Sequence, residues 1–168
     1  SMTEEKKAEI LGRLTYSQNF EDVKGAFLVV EAVPEKIEIK KDTFKKVDEL
    51  ADAETIIVSN TSGLSISEIA SVTNRQDKVM GAHFFYPAPV MKLLELVRGL
   101  VTSDETYDVV KEFAGKIGKT TVDAPEFPGF MVNRILVPMQ NEAAFMVMEG
   151  SKPEDVDNAM KLGCNHPM

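Results

Sequence analysis

The chain has 168 residues, of which 43% are hydrophobic and 27% are charged, a composition typical of a globular protein with one substantial core. The net charge of −8 argues against a nucleic-acid partner, and the absence of any apolar run of about 18 residues argues against a membrane span. The only cysteine, Cys164, excludes an internal disulfide and is typical of a reducing compartment, which predicts a cytoplasmic location.

The first part of the chain alternates between predicted helices and buried strands. After a helix with an apolar stripe over residues 3–14, the apolar run 26–33 is typical of a strand buried on both faces, and an amphipathic helix follows over 35–51. The other predicted elements are strands at 55–58, 78–85, 92–97 and 120–122 and helices at 66–72 and 104–117. This alternation predicts an α/β layer around a parallel sheet.

The character of the chain changes after Pro128. Residues 130–149 are predicted to form a helix that is apolar almost all round and broken at Pro138, and another helix follows. A helix that is apolar on every face must be covered by something. We therefore predict an α/β portion over residues 1–126 and the beginning of a helical domain over residues 127–168.

A polar segment, Ser59-Asn60-Thr61-Ser62, comes directly after the predicted strand 55–58. Ligands of parallel sheets bind beyond the carboxyl ends of the strands, so Ser62 is a candidate ligand contact. The same segment is equally typical of a turn that caps the next helix. Because caps outnumber catalytic serines, the local pattern favours the cap.

His83 and Glu95 lie in two apolar strands that are joined by a short, proline-containing segment. Burying a carboxylate without a partner is costly, and a hydrogen bond between these two side chains would satisfy both groups. The same bond would orient the imidazole as a general base. Two alternatives stay open: a purely structural pair, or a Glu95 that faces water on an edge strand.

Three further polar residues have weaker local signals. Asn133 falls one turn into an apolar helix, where a buried amide needs a partner that a ligand would supply. For Glu35 and Lys40, which follow the strand 26–33, the pattern favours solvent-exposed helix positions. No set of His, Cys, Asp and Glu residues has metal-ligand spacing, so we predict no metal site.

Five motifs in this order resemble the L-3-hydroxyacyl-CoA dehydrogenase family, including its short-chain 3-hydroxybutyryl-CoA dehydrogenases. The motifs are Val30-Glu31-Ala32 with Glu35, Ser59-Asn60-Thr61-Ser62, His83-Phe84-Phe85 with Pro87, Met91-Lys92-Leu93, and Pro128-Gly129-Phe130 with Asn133-Arg134. The resemblance implies a partial Rossmann-like, mostly parallel sheet followed by the start of an all-α domain. It also implies NAD-dependent oxidation of an L-3-hydroxyacyl-CoA to the 3-ketoacyl-CoA, or the reverse reaction.

The resemblance assigns catalytic roles to four residues. It implies that His83 removes the proton of the 3-hydroxyl group while hydride leaves C3 for the nicotinamide. Glu95 would hold the His83 ring and stabilise the imidazolium that forms. Ser62 and Asn133 would hydrogen-bond the substrate oxygen and orient the acyl group.

The resemblance also implies that Glu35, Lys40 and Ser62 contact the bound NAD. Tyr86 stands where the family usually has an asparagine near the nicotinamide. The Gly-x-Gly-x-x-Gly turn with which the family begins does not occur among the ten glycines here, so the amides that cradle the pyrophosphate are missing. We therefore expect the middle of a longer enzyme, which by itself binds NAD weakly and turns over slowly or not at all.

Two other functions stay open. A related β-hydroxyacid dehydrogenase would typically use a lysine as its base, whereas the separation of His83 and Glu95 favours the acyl-CoA enzyme. A non-catalytic derivative of the fold would explain Tyr86, but the intact set of four catalytic positions argues against it. We also expect the apolar helix at 130–149 to drive formation of a homo-oligomer, either a simple dimer or one that exchanges this helix.

Overall fold

The structure of the protein is a computed structural model that describes residues 2–167. Short 3₁₀ turns at Phe20–Val23 and Gln76–Lys78 accompany the regular elements. In chain order these elements are α1 (Glu4–Leu11), β1 (Leu28–Glu31), α2 (Ile37–Leu50), β2 (Ile56–Ser59), α3 (Ile66–Ala70), β3 (Val79–Phe84), β4 (Leu93–Arg98), α4 (Asp104–Lys116), β5 (Thr120–Ala124), α5 (Val132–Met148) and α6 (Pro153–Cys164). The alternation of strands and helices predicted from the sequence is confirmed.

The strands form one sheet in the order β1-β2-β3-β4-β5. β1, β2 and β3 are parallel to one another, β4 and β5 are parallel, and β3 and β4 are antiparallel. The sheet is therefore mostly parallel, as the resemblance implies. The exception arises because the connection 85–92 is too short for a crossover, which needs about a dozen residues. This antiparallel pairing places His83 directly opposite Glu95.

Helices cover both faces of the sheet. On one face, Phe44 of α2 and Ile66 of α3 belong to a core cluster that also contains Ile57 of β2. On the other face, Val110 of α4 packs in a second cluster with Leu96 of β4 and other strand residues. Because neighbouring residues of a strand point to opposite faces, the flanking Leu94 and Leu96 face α4 while Glu95 faces the first cluster.

One prediction about the beginning of the chain is wrong. The run 26–33, expected as a strand buried on both faces, forms only the short β1 at an edge of the sheet, where Val30 is exposed. The predicted first helix forms as α1, but it contains no buried residue, and both Leu11 and Leu14 of its apolar stripe are half exposed. An edge strand and an isolated helix have fewer neighbours to cover them than the sequence pattern suggests.

Helix α5 continues through Pro138, where the sequence predicts a break. A proline removes one backbone hydrogen bond, but the flanking bonds can carry a helix past it with a bend. None of the side chains of α5 is buried, and its exposed apolar residues are Ile135, Val137, Phe145, Met146, Val147 and Met148. Within residues 2–167, no helix has both the length and the hydropathy that crossing a membrane requires.

Candidate active site

The side chains of His83 and Glu95 form a buried hydrogen bond, with 2.7 Å between His83 Nδ1 and Glu95 Oε2. Glu95 has no exposed surface, and His83 is buried as well. The bond predicted from the sequence is therefore present. The alternative in which Glu95 faces water on an edge strand is wrong, because β4 lies between β3 and β5.

The second oxygen of Glu95 binds the start of α5. Glu95 Oε1 accepts hydrogen bonds from the amides of Met131 at 3.1 Å and Val132 at 3.0 Å. The positive end of a helix dipole favours a negative charge in this position. Since the carboxylate is surrounded by donors, we assign the proton of a neutral His83 to Nδ1, which leaves Nε2 as the acceptor.

Two aromatic rings enclose the imidazole. The centroid of the His83 ring lies 4.6 Å from that of Phe85 and 5.7 Å from that of Phe130. Phe130 is only 1% exposed, and its φ of 49° lies in the left-handed region. That conformation costs a non-glycine residue about 1–2 kcal/mol, which burial of the ring, worth about 1.5–3 kcal/mol, can offset.

A second buried network lies at the ends of β1 and β2. Lys40 Nζ donates to Glu31 Oε1 at 2.8 Å and to the Val33 carbonyl at 3.2 Å, and it lies 3.2 Å from Glu35 Oε2. The Ser59 hydroxyl donates to the other oxygen of Glu31 at 2.6 Å. Lys40 is only 1% exposed, so the solvent-exposed helix position that the sequence favours is wrong for this residue. A buried ammonium needs acidic partners, and Glu31 at the end of β1 supplies one.

Glu35 lies in the loop before α2, because that helix begins at Ile37 rather than at the predicted residue 35. The Glu35 carboxylate joins the Lys40 network to the loop that follows β2. Its Oε1 accepts hydrogen bonds from the Thr61 hydroxyl at 2.5 Å and from the Ser62 amide at 2.8 Å. Partial burial is the largest influence on the pKa of Glu35 and raises it. The two hydrogen bonds and the charge of Lys40 together outweigh it, so the pKa is lowered from its ordinary value.

The loop after β2 is a turn, but it does not cap α3. The capping residue is Ser65, whose hydroxyl accepts a hydrogen bond from the Glu68 amide at 3.1 Å, so the interpretation of 59–62 as the cap is wrong. Asn60 instead ties β2 to β3, because its Oδ1 accepts a hydrogen bond from the Phe84 amide at 2.8 Å. Ser62 is exposed, and its hydroxyl joins none of the hydrogen bonds among the described residues.

Asn133 and Tyr86 lie apart from these networks. Asn133 is half-buried in the first turn of α5, next to Val132, and lines a cleft of ≈ 310 Å³ with Gly129 and Val137. Tyr86 is 95% exposed beyond the end of β3.

The structure thus brings His83, Glu95 and the start of α5 together, and gathers Glu35 and Lys40 at the neighbouring loop. Across residues 2–167, no cluster of three or more His, Cys, Asp or Glu side chains is placed to hold a metal ion.

Comparison with protein families identifies the chain. A family model described as "3-hydroxyacyl-CoA dehydrogenase, NAD binding domain" matches residues 1–127. A second model, "3-hydroxyacyl-CoA dehydrogenase, C-terminal domain", matches residues 129–168. The chain belongs to the 3-hydroxyacyl-CoA dehydrogenase family.

Individual relatives agree with this family. The chain is 53% identical over 163 residues to a 3-hydroxybutyryl-CoA dehydrogenase of Clostridioides difficile, a match that covers 96% of this chain and 58% of that protein. It is 49% identical over 167 residues to a probable 3-hydroxybutyryl-CoA dehydrogenase of Bacillus subtilis, covering 99% and 58%. The crystal structure of an (S)-3-hydroxybutyryl-CoA dehydrogenase from Ralstonia eutropha matches with a TM-score of 0.95 at 46% identity, covering 99% of this chain and 59% of that one. The chain therefore spans about 58% of the length of these curated relatives.

Sequence reasoning misses three residues that organise this site. Glu31 belongs to a recognised motif, but only the need of Lys40 for a buried partner would have indicated its contact. Glu126, in the segment after β5, accepts hydrogen bonds from the Ser65 hydroxyl at 2.8 Å and the Ser67 amide at 2.6 Å. The left-handed backbone of Phe130 leaves no signal in the sequence, because such a conformation is set by tertiary packing.

Proposed function

We propose that this chain is the portion of an NAD-dependent 3-hydroxyacyl-CoA dehydrogenase that carries the catalytic base. The reaction is the oxidation of an L-3-hydroxyacyl-CoA, with short-chain 3-hydroxybutyryl-CoA as the substrate, to the 3-ketoacyl-CoA, or the reverse. The observation that carries the proposal is the buried hydrogen bond between His83 and Glu95. The substrate follows from the 3-hydroxybutyryl-CoA dehydrogenases to which the chain is similar in sequence.

In this proposal His83 is the general base. Glu95 holds the Nδ1–H of the ring, so Nε2 has a lone pair for the proton of the substrate 3-hydroxyl group. The imidazolium that forms lies against the Glu95 carboxylate, which stabilises it. In the reverse direction the same nitrogen returns the proton to the carbonyl oxygen. The base thus acts at one fixed atom in both directions.

Ser62 and Asn133 hold the substrate oxygen in this proposal. The Ser62 hydroxyl is exposed beyond the carboxyl end of β2, where ligands of α/β sheets bind. Asn133 directly follows Val132, whose amide binds Glu95, so the position of Asn133 is tied to that of the base. Hydrogen bonds from both residues would orient the reacting carbon, and orientation is a large part of catalysis in transfer reactions.

The residues present fit the nicotinamide end of NAD. Ser62 offers an unengaged hydroxyl, Glu35 offers a carboxylate at the same loop, and the exposed Tyr86 offers a phenol beyond β3. Lys40 is buried, so we propose that it acts on the cofactor through Glu35 rather than by direct contact. When bound, NAD would accept the hydride that leaves C3 of the substrate.

The residues present do not fit the pyrophosphate of NAD. None of the ten glycines has the spacing of the phosphate-binding turn that opens a dinucleotide site. We therefore propose that the 168-residue chain alone binds NAD weakly and turns over slowly or not at all. The division of the chain at residues 126 and 127 into an α/β portion and a helical portion is part of the same proposal.

Two further features of the protein are proposed with this function. The exposed apolar residues of α5 support a homo-oligomer, with a second copy of the chain against this helix or exchanging it. A cytoplasmic location is supported by the single cysteine, Cys164, which is unpaired and exposed.

The test measures oxidation of NADH with acetoacetyl-CoA. The 168-residue chain is compared with a version joined at both ends to the flanking segments of the Clostridioides difficile relative. We expect turnover only from the joined version, because the glycines of the 168-residue chain do not have the spacing of a phosphate-binding turn. In that version His83→Gln should lower kcat by about 10²–10⁴-fold, since the base is lost. Glu112→Gln, at an exposed position on α4, should leave kcat unchanged.

Two outcomes would contradict the proposal. A joined version that binds NADH but shows no turnover would favour the non-catalytic derivative of the fold, with Tyr86 as the residue to revert. Faster turnover of free acetoacetate than of its CoA ester would favour a β-hydroxyacid dehydrogenase.

A further inference from the structure

Phe130 lies just before α5, next to both His83 and Glu95. Its ring packs against His83, and the backbone that follows it binds Glu95. Its ring belongs to the core cluster beside α2 and α3 and lies edge-on to the His83 ring, with 5.7 Å between the centroids. The two residues that follow it, Met131 and Val132, donate their amides to the same oxygen of Glu95. One side chain and the backbone after it therefore meet both members of the buried pair.

The backbone around Phe130 has an unusual shape. Gly129 and Phe130 both have positive φ, at 78° and 49°. These two residues directly precede Met131 and Val132, whose amides bind the same oxygen of Glu95. Glycine adopts this conformation freely, whereas phenylalanine adopts it only when its surroundings hold it there.

The linker before this turn is fixed to α3 and to the loop that precedes α3. Glu126 accepts hydrogen bonds from the hydroxyl and the amide of Ser67 at 2.6 Å each. Gly63 and Gly129 approach so closely that a Cβ added to Gly63 would lie 2.7 Å from the Gly129 nitrogen. Phe130 lies between Gly129 and the two amides that bind Glu95. Its own amide donates to the Phe127 carbonyl at 2.8 Å, and its side chain is buried in the core cluster.

We propose that Phe130 is a positioning residue for His83. Its buried ring holds a left-handed backbone, this backbone presents two amides to Glu95, and Glu95 fixes the proton of neutral His83 on Nδ1. The inference rests on the proposed function, because the purpose of a fixed Nδ1–H is to keep Nε2 free for the substrate proton.

The Glu95 carboxylate relies on these amides for its hydrogen bonds. The described residues give it three donors: two amides and the His83 ring. Without the two amides, a fully buried carboxylate would retain only the imidazole. With its second oxygen unheld, the carboxylate would be free to turn away from the direction of the Nδ1–H bond, and the preference of the imidazole for the Nδ1–H tautomer would weaken.

The test reads the His83 tautomer by ¹⁵N NMR of the imidazole nitrogens in the purified 168-residue chain. The chain has only two histidines, so a His166→Gln variant assigns the His83 signals. Phe130→Ala and Phe130→Gly both remove the ring, but only glycine takes the left-handed conformation freely. We expect Phe130→Gly to keep Nδ1–H as the main tautomer and Phe130→Ala to give a mixture of the two tautomers.

A matched control separates this role from packing alone. Phe44→Leu alters an equally buried ring in the same core cluster and should leave the His83 tautomer unchanged. If Phe130→Ala does not fold, Phe130→Leu replaces it, because leucine is as unfavourable as phenylalanine in the left-handed region and fills the space less well. It should also give a mixture.

The proposal is overturned if the alanine and glycine variants give the same tautomer ratio, or if Phe44→Leu changes the ratio as much as Phe130→Ala. The tautomer is read without substrate or NAD, so its result does not depend on turnover. If the variants give the expected tautomer ratios but the joined version shows no turnover, the dehydrogenase proposal is refuted and the positioning role of Phe130 stands.

Discussion

The loops at the carboxyl ends of β1, β2 and β3 differ sharply from the pair of helices α5 and α6. Next to these loops Glu31, Lys40 and Glu95 are buried, and within residues 2–167 no buried side-chain nitrogen or oxygen lacks a hydrogen-bond partner. Helix α5 buries none of its side chains and exposes Ile135 at 72% and Met148 at 80%. The contrast indicates that the sheet and the linker contain the interactions that position the candidate base. The helices that follow depend on whatever covers their apolar surface.

The greatest loss of stability should come from disrupting the buried network. Lys40→Ala should lower the free energy of unfolding by about 3–5 kcal/mol, because it leaves Glu31 buried without its ammonium partner. Urea unfolding followed by circular dichroism measures the change. Lys45→Ala, at an exposed position on the same helix, is the matched control and should change it by less than about 0.5 kcal/mol.

The double variant Glu31→Gln, Lys40→Met refines this test. Because it removes both charges together, it should unfold with a higher free energy than Lys40→Ala alone. If Lys40→Ala costs no more than Lys45→Ala, or if the double variant is the least stable of the three, the network does not contribute as proposed.

The sequence predicts features of the site that depend on the alternation of side chains along strands, but not features that depend on tertiary contacts. The opposition of His83 and Glu95 could be predicted because both interrupt apolar strands joined by a short connection. The burial of Lys40 could not, since its position on α2 looks like any other lysine of an amphipathic helix. The left-handed backbone of Phe130 could not be predicted either, because its conformation depends on the core into which its ring packs.

Substitution of Glu35, at the exposed end of the network, should lower the free energy of unfolding less than substitution of Lys40 at its buried centre. The pKa of Glu35 is lowered from its ordinary value of 4.5, so its contribution to stability is present above that value and is lost as the pH falls through the lower, folded-state pKa. Glu35→Gln should therefore cost up to about 1 kcal/mol at neutral pH, because the side chain is partly exposed, and progressively less in acid. Urea unfolding at a series of pH values measures the difference between the two proteins.

A second substitution checks the cause of this pH dependence. Thr61→Val removes one of the hydrogen bonds that lower the pKa of Glu35, so the loss of stability caused by Glu35→Gln should be smaller in its presence. A loss that grows as the pH falls would contradict the assigned direction of the shift.

The helical region should show the least change in stability on substitution, but the clearest change in association. Ile135→Ser replaces an apolar side chain that is already exposed, so the free energy of unfolding of the single chain should change by no more than about 0.5 kcal/mol. If a second copy covers α5, the same change places a hydroxyl in an apolar contact and weakens association. Sedimentation equilibrium over a range of protein concentrations measures this. Leu100→Ser, at an exposed apolar position after β4, is the control and should leave association unchanged. If both substitutions weaken association equally, or if the chain with Ile135 is a monomer at every concentration, then α5 is not the contact between copies, and the contrast between the two regions reflects exposure alone.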